Sequence, residues 1–196
     1  MPQENSFEII HLFDLLAMDD GDSLFKLFAD SFYSLNTDVE QFLKEKAIQS
    51  TKLNTSSTYL IVSTDKYIDL LGYFTLATKM LTVKHNILSK REEKIISNFG
   101  YYDDASKSFI LPAILIAQIS RNFNVTSSSI DGSDLIDITL KQVKEILNLT
   151  SGKVVFLESE PDMKVIDFYF KHGFHLLDNE ILSNKNKELV QLYRVI

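Results

Sequence analysis

Ser6–Phe13 alternates between apolar and polar positions and predicts a first β-strand. After the acidic turn Asp19–Asp22, Leu24, Phe25, Leu27, Phe28 and Phe32 recur at helical spacing, with Asp22 or Ser23 placed to cap. Thr37-x-x-Glu40 reads as a capping box, so a second helix starts at Thr37 with Val39, Phe42, Leu43 and Ala47 as its apolar stripe. The polar run Gln49–Ser57 predicts a loop. Thr58–Ser63 and Ile68–Thr78 are rich in β-formers and, joined by Thr64–Tyr67, predict a hairpin. Lys79–Asn98 has no clear period; within it Glu92–Ser97 predicts a short helix and Asn98–Gly100 the turn that leaves it.

Phe109–Arg121 is almost uninterrupted apolar sequence, the pattern of a central strand covered on both faces. From Ser133, Leu135, Ile136, Thr139, Leu140, Val143, Ile146 and Leu147 keep helical spacing until Gly152. Lys153–Glu158 predicts a short buried strand. Pro161 suits the first position of another helix, which Gly173 closes. Phe174–Leu177 and Leu189–Val195 predict final strands joined by the polar loop Asp178–Glu188. The strand–helix–strand–helix–strand order after residue 109 implies parallel pairing there, with antiparallel hairpins before and after. The expected fold is therefore α/β in the α+β sense: a mixed, mostly antiparallel sheet flanked by helices. With neither repeat nor linker, residues 1–196 read as one domain.

Composition removes whole classes of chemistry. The chain has no cysteine, which excludes disulfides, thiolate metal sites and thiol nucleophiles. A net charge of -7 weighs against broad binding to nucleic acid or anionic membranes. The longest apolar run, Phe109–Ala117, is too short to span a bilayer, and Met1–Asn5 lacks a basic leader, so a cytoplasmic protein is expected. Six glycines lie too far apart for a Gly-rich nucleotide fingerprint, and neither a Gly-x-Ser-x-Gly elbow nor His-Glu-x-x-His occurs. His11, His85, His172 and His175 have no carboxylate at metal-ligand spacing, so no metal is expected. Lys79, Lys84, Lys90, Arg91 and Lys94, diluted by Glu92 and Glu93, read as a solvated face or a local RNA patch.

Two segments hold candidate chemistry. A helix N-terminus offers amides and a favourable dipole to an anion, and the helix starting near Ser133 is the best candidate. Gly132 permits close backbone approach, Ser127, Ser128 and Ser129 supply hydroxyls, and Arg121 is the nearest countercharge. Asp131 and Asp134 oppose an anion there, or else stabilise the helix start. In Phe168-Tyr169-Phe170, taken alone, Tyr169 reads as a core aromatic with its hydroxyl near the surface.

Asp162–Phe174 (DMKVIDFYFKHGF) resembles the Asn-x-x-Ala-x-x-x-Tyr-x-Lys-x-Gly-Phe ending of the GNAT superfamily of N-acetyltransferases. Tyr169, Lys171, Gly173 and Phe174 fit that pattern, while Asp162 stands for the usual Asn and Val165 for a small residue. Leu111–Asn124 is similar to the family's central acyl-CoA strand, and Gly132-x-x-Leu135-Ile136 to the end of its pyrophosphate loop. Of the loop pattern (Gln/Arg)-x-x-Gly-x-(Gly/Ala), aligned on Ser127–Gly132, only Gly132 remains. Asp38–Leu43, Ala47, Lys52, Thr58–Val62 and Gly72–Ala77 resemble a branch from bacterial mobile elements that includes toxins acetylating aminoacyl-tRNA.

The resemblance implies a GNAT-like domain with a central, splayed parallel strand pair and acetyl-CoA as cosubstrate. It implies that the backbone of Ile119, Ser120 and Arg121 meets the pantetheine arm, and that the loop of Ser127, Ser128, Ser129, Asp131, Gly132 and Ser133 meets the diphosphate. Tyr169 is implied as the acid that protonates the leaving thiolate; a phenol near pKa ~10 can serve. For the base, Glu158 at the end of its strand, a relayed water and a merely solvated Glu158 all remain open. The acceptor is a small amine, a protein amine or an aminoacyl-tRNA. A GNAT-fold module that binds or dimerises without catalysis is the alternative, and a homodimer is left open.

Overall fold

The computed structural model describes residues 7–64, 68–125, 130–177, 182–184 and 187–196. Its elements are β1 (Phe7–His11), α1 (Leu12–Leu16), α2 (Gly21–Ser31), α3 (Thr37–Gln41), a π turn (Phe42–Lys46), α4 (Ala47–Lys52), β2 (Ser57–Ser63) and β3 (Leu70–Lys84). These are followed by α5 (Lys90–Ile96), β4 (Tyr101–Asp103), β5 (Ser108–Arg121), α6 (Gly132–Thr150), β6 (Val154–Ser159), α7 (Met163–Lys171), β7 (His175–Leu176), β8 (Leu182–Asn184) and β9 (Lys187–Val195). The chain divides into two compact units, Met1–Ala77 with Ala117–Thr139, and Thr78–Ile116 with Leu140–Ile196.

In the first unit the strands run in the order β1-β2-β3-β5, with β1–β2 and β2–β3 antiparallel. Their core is built on Leu60, Leu70 and Tyr73 from the sheet, with Phe25 of α2, Phe32 just after it and Leu43 of the π turn, each no more than 1% exposed. Several boundaries differ from those the pattern predicts. The first strand ends at His11, because Leu12 and Leu15 are both buried three residues apart and turn the chain into α1. α2 starts at Gly21, where a Cβ would collide with the Leu15 carbonyl.

The capping box at Thr37 is not formed. Asn36 is the cap, its Oδ1 accepting from Asp38 N at 3.0 Å, while Glu40 accepts from Ser34 N and Lys44 Nζ. Such a cap contributes about 1 kcal/mol. Helix also continues through Gln49–Lys52, where a loop is expected. The π turn inserts a residue ahead of it, and Leu43, Ala47 and Thr51 stay buried. The buried Tyr73 hydroxyl donates to Val39 O at 2.5 Å in the turn before it.

In the second unit the order is β3-β5-β6-β9-β7, with β4 on β5 and β8 on β9. β3 runs to Lys84: Leu81 and Val83 are buried while Met80, Thr82 and Lys84 are exposed, a period of two that the flanking lysines obscure in the sequence. β5–β6 is parallel and β6–β9 and β7–β9 are antiparallel. The last βαβ step thus does not place β7 beside β6, because β9 pairs between them. α7 begins at Met163, not Pro161, since Asp162 is the cap and accepts from Lys164 N at 2.8 Å. Part of Asp178–Glu188 is a hairpin arm, Leu182 pairing with Leu189. The fold is a mixed, mostly antiparallel sheet with one parallel pair, flanked by helices.

Candidate functional site

The candidate residues fall into two groups, one in each unit. In the first unit they lie at the end of β5 and the start of α6. The parallel ladder of β5 and β6 covers only Ile114–Ile116 against Val155–Leu157. Beyond it, Ala117–Arg121 have no partner on β6 among the described residues, and β6 itself ends at Ser159. Ile119, Ser120 and Arg121 are all half-buried. On the β3 side this strand end lies over Gly72, where a Cβ would stand 3.1 Å from Ser120 O and 3.2 Å from Arg121 Cα. Ser120 Oγ is 2.9 Å from Ser34 Oγ, and the Arg121 guanidinium stacks 4.5 Å from the Phe123 ring centre.

α6 opens at Gly132, and its first turn is closed by its own acids. Asp131 Oδ1 accepts from Ser133 N at 2.7 Å and Asp134 N at 2.9 Å. Asp134 Oδ2 accepts in return from Asp131 N at 2.8 Å. The amide bonds from Asp134 and Ser133 foremost, and Arg121 to a lesser degree, hold the Asp131 carboxyl below the usual carboxylate range. Two of the amides that a diphosphate would use therefore already carry a carboxylate. Asp131 and Asp134 act as a reciprocal cap. Ser127, Ser128 and Ser129 lie outside the described residues.

In the second unit, α7 places Tyr169 on its buried side with Ile166. Tyr169 is 9% exposed, its ring meeting Phe168 and Phe174 edge-on at 5.3 and 5.6 Å. Phe170, its neighbour in the aromatic run, is 41% exposed. Burial pushes the Tyr169 phenol up to about 12, so it is protonated across the neutral range. Among the described residues its hydroxyl has no hydrogen-bond partner. Its carbonyl accepts from His172 N and Phe174 N, and Gly173 takes φ +74° to end the helix. Arg194 Nη1 donates to His172 O at 2.6 Å and completes that helix end. Glu158 is exposed on β6 and accepts from Gln191 Nε2, directly across the ladder, at 2.9 Å.

Gly72, Asn122 and Arg194 escape the sequence reading. A glycine inside the β-rich run Gly72–Ala77 is a signal for close backbone approach, but Asn122 and Arg194 matter only through partners distant in sequence. Among the described residues no group of three His, Asp or Glu side chains could hold a metal ion, and no helix is long and apolar enough to cross a membrane.

A mixed, mostly antiparallel sheet with the parallel pair β5–β6, flanked by helices, matches the GNAT-like fold. Solved structures agree. AtaT complexed with acetyl-methionyl-tRNAfMet is 17% identical, with 96% of this chain and 94% of that one covered and a TM-score of 0.67. A tyrosine-to-phenylalanine mutant of KacT is 20% identical over 95% and 94%, at 0.65. A mutant AtaT toxin bound to the C-terminus of the antitoxin AtaR and acetyl-CoA is 15% identical over 95% and 92%, at 0.59. This chain has the GNAT-like fold of those toxins; identity at this level establishes the fold. No family model and no curated protein matches the sequence.

Proposed function

We propose that residues 1–196 form one acyl-CoA-dependent N-acetyltransferase domain that moves an acetyl group directly from acetyl-CoA to a primary amine in the cytoplasm. The observation that carries this reading is Tyr169, whose ring is buried and whose phenol, protonated at neutral pH, has no hydrogen-bond partner among the described residues of a GNAT-like fold. The ring is packed, but its oxygen is not among the buried polar atoms that lack a partner; a phenol whose tip reaches the surface is open to donate to a ligand.

In the proposed reaction the amine nitrogen attacks the thioester carbonyl, and a backbone amide of Ile119–Arg121 stabilises the oxyanion. The tetrahedral intermediate collapses with cleavage of the C–S bond, and Tyr169 donates its proton to the departing thiolate. The proton lost from nitrogen, taken by Glu158 or a water, restores the phenol. With no cysteine in the chain, an acyl-thiol intermediate on the protein is excluded. The loop from Ser127 to Ser133, Gly132 included, is proposed to meet the diphosphate, which requires Asp131 to release the first-turn amides.

Two other readings each have a specific observation. AtaT was solved with acetyl-methionyl-tRNAfMet, which favours an aminoacyl-tRNA acceptor; a net charge of -7 ranks it second. The Asp131–Asp134 cap favours a non-catalytic binding module. Thermal unfolding with acetyl-CoA separates them. At 100 times the dissociation constant the ligand adds about 2.7 kcal/mol, a rise of roughly 5–10 °C for a chain of this size. An unchanged transition at millimolar acetyl-CoA refutes both enzyme readings. If it rises, acetylation of charged tRNA against free amines decides the acceptor.

A further inference from the structure

Asn122 follows directly on Ile119–Arg121 and is 2% exposed. Its side-chain Nδ2 donates to Leu70 O at 2.9 Å and to Ser31 O at 3.5 Å. Its Oδ1 accepts from Tyr33 N at 3.1 Å and Asn124 N at 3.0 Å. Two donors and two acceptor sites are the full capacity of an amide side chain. The backbone amide of Asn122 is used as well, donating to Leu71 O at 2.7 Å. One residue thus ties together the start of β3, the loop between α2 and α3, and the turn after β5. Two further bonds close the same junction: Phe123 N donates to Tyr33 O at 2.9 Å, and Ser34 Oγ meets Ser120 Oγ at 2.9 Å.

A strand end without a partner on one side is free to fray or slip. Its amides serve as preorganised donors only where its position is imposed from elsewhere. Ala117–Arg121 have no partner on β6 among the described residues. The other side is held by Gly72, which lets β3 approach, and by Asn122, which locks the exit of the strand.

We infer that Asn122 is a positioning residue for acyl-CoA: it holds the Ile119–Arg121 backbone in the alignment that the pantetheine arm requires, without touching the ligand. The inference rests on the acyl-CoA reading above. A residue with only a structural role changes stability and leaves the affinity of the folded protein unaltered. A positioning residue weakens every ligand that carries the arm and spares those without it.

The test is calorimetric titration of the full chain with acetyl-CoA, S-acetylpantetheine and adenosine 3′,5′-bisphosphate. Asn122→Asp keeps the shape and both acceptors but cannot donate to Leu70 O or Ser31 O; Ser34→Ala breaks the link to Ser120 and also the bond that Ser34 Oγ accepts from Asn36 N. Each variant is titrated at a temperature where circular dichroism shows it folded. For Asn122→Asp, acetyl-CoA and S-acetylpantetheine are expected to weaken by the same factor, about tenfold, with the bisphosphate unchanged. For Ser34→Ala the shared factor is about threefold. If Asn122→Asp does not fold, Asn122→Ser is titrated in its place and decides. Folded variants that bind all three ligands like the wild type, or lose only the bisphosphate, overturn the role of Asn122. A wild-type chain that binds neither arm-bearing ligand overturns the acyl-CoA reading itself, a different and separable result.

Discussion

Replacing Tyr169 by Phe removes one oxygen and keeps the ring. The two edge-on contacts with Phe168 and Phe174 survive, and no hydrogen bond among the described residues is broken. Stability is therefore expected to change by less than about 0.5 kcal/mol. Chemistry is another matter. A positioned general acid contributes about 10²- to 10⁴-fold, so turnover should fall by that factor, roughly 2.7–5.4 kcal/mol of barrier. Affinity for acetyl-CoA should stay within about twofold, because the hydroxyl acts on sulfur only as the C–S bond breaks. The assay is release of free CoA thiol with a mixture of amine acceptors and charged tRNA, alongside calorimetry and a denaturant melt. Turnover equal to wild type refutes the acid role. A loss of stability above about 2 kcal/mol refutes the claim that the hydroxyl is unengaged in the resting protein.

Gly72→Ala sets a methyl group against the Ser120 and Arg121 backbone, which cannot rotate away. Overpacking of about 1–3 kcal/mol, offset by about 0.5–1 kcal/mol from a stiffer unfolded chain, gives a net loss near 1–2 kcal/mol; it should appear in the denaturant midpoint together with weaker acetyl-CoA binding. Asp131→Ser keeps a helix cap but removes a charge opposed to a diphosphate, so acetyl-CoA should bind about two- to fivefold more tightly. Weaker binding in a titration would show instead that Asp131 serves the ligand. Among the described residues His11 Nε2 is buried without a partner, and burial, only partly countered by Asp14, lowers its pKa below the ordinary value. A group depressed in this way resists protonation in the fold. Its stabilising effect is complete above pH ~6.5 and declines as pH falls through that value. The denaturant midpoint of the wild type should fall below pH ~6.5, and His11→Gln should flatten that step; an equal slope in both proteins would contradict it.

Much of the scaffold is legible in the chain because it rests on local periodicity. The long apolar strand ending at Arg121, the helix from residue 132 to the brink of Gly152, and the Gly173 stop all follow from short-range rules of burial and backbone freedom. Boundaries failed where a distant residue competes with the local signal. Asn36 displaces Thr37 as cap because Glu40 is drawn to Ser34 and Lys44. The Gln49–Lys52 stretch remains helical because the π turn keeps Thr51 against the core.

The candidate site divides in the same way. Sequence alone determined the cysteine-free chemistry, the motif that marks Tyr169, and the helix start at which an anion could be received. Tertiary structure decided which of the candidate groups in each unit are already engaged. It leaves the hydroxyl of Tyr169 without a partner among the described residues, engages Glu158 with Gln191, and fills the first turn of α6 with Asp131. It also brings Gly72 and Asn122 against the end of β5 and the start of β3; a glycine within a strand hints at such an approach, whereas Asn122 carries no local signal. Periodicity is set by neighbours three or four positions away. The fate of a polar group depends on which partner, many residues distant, reaches it when water is removed.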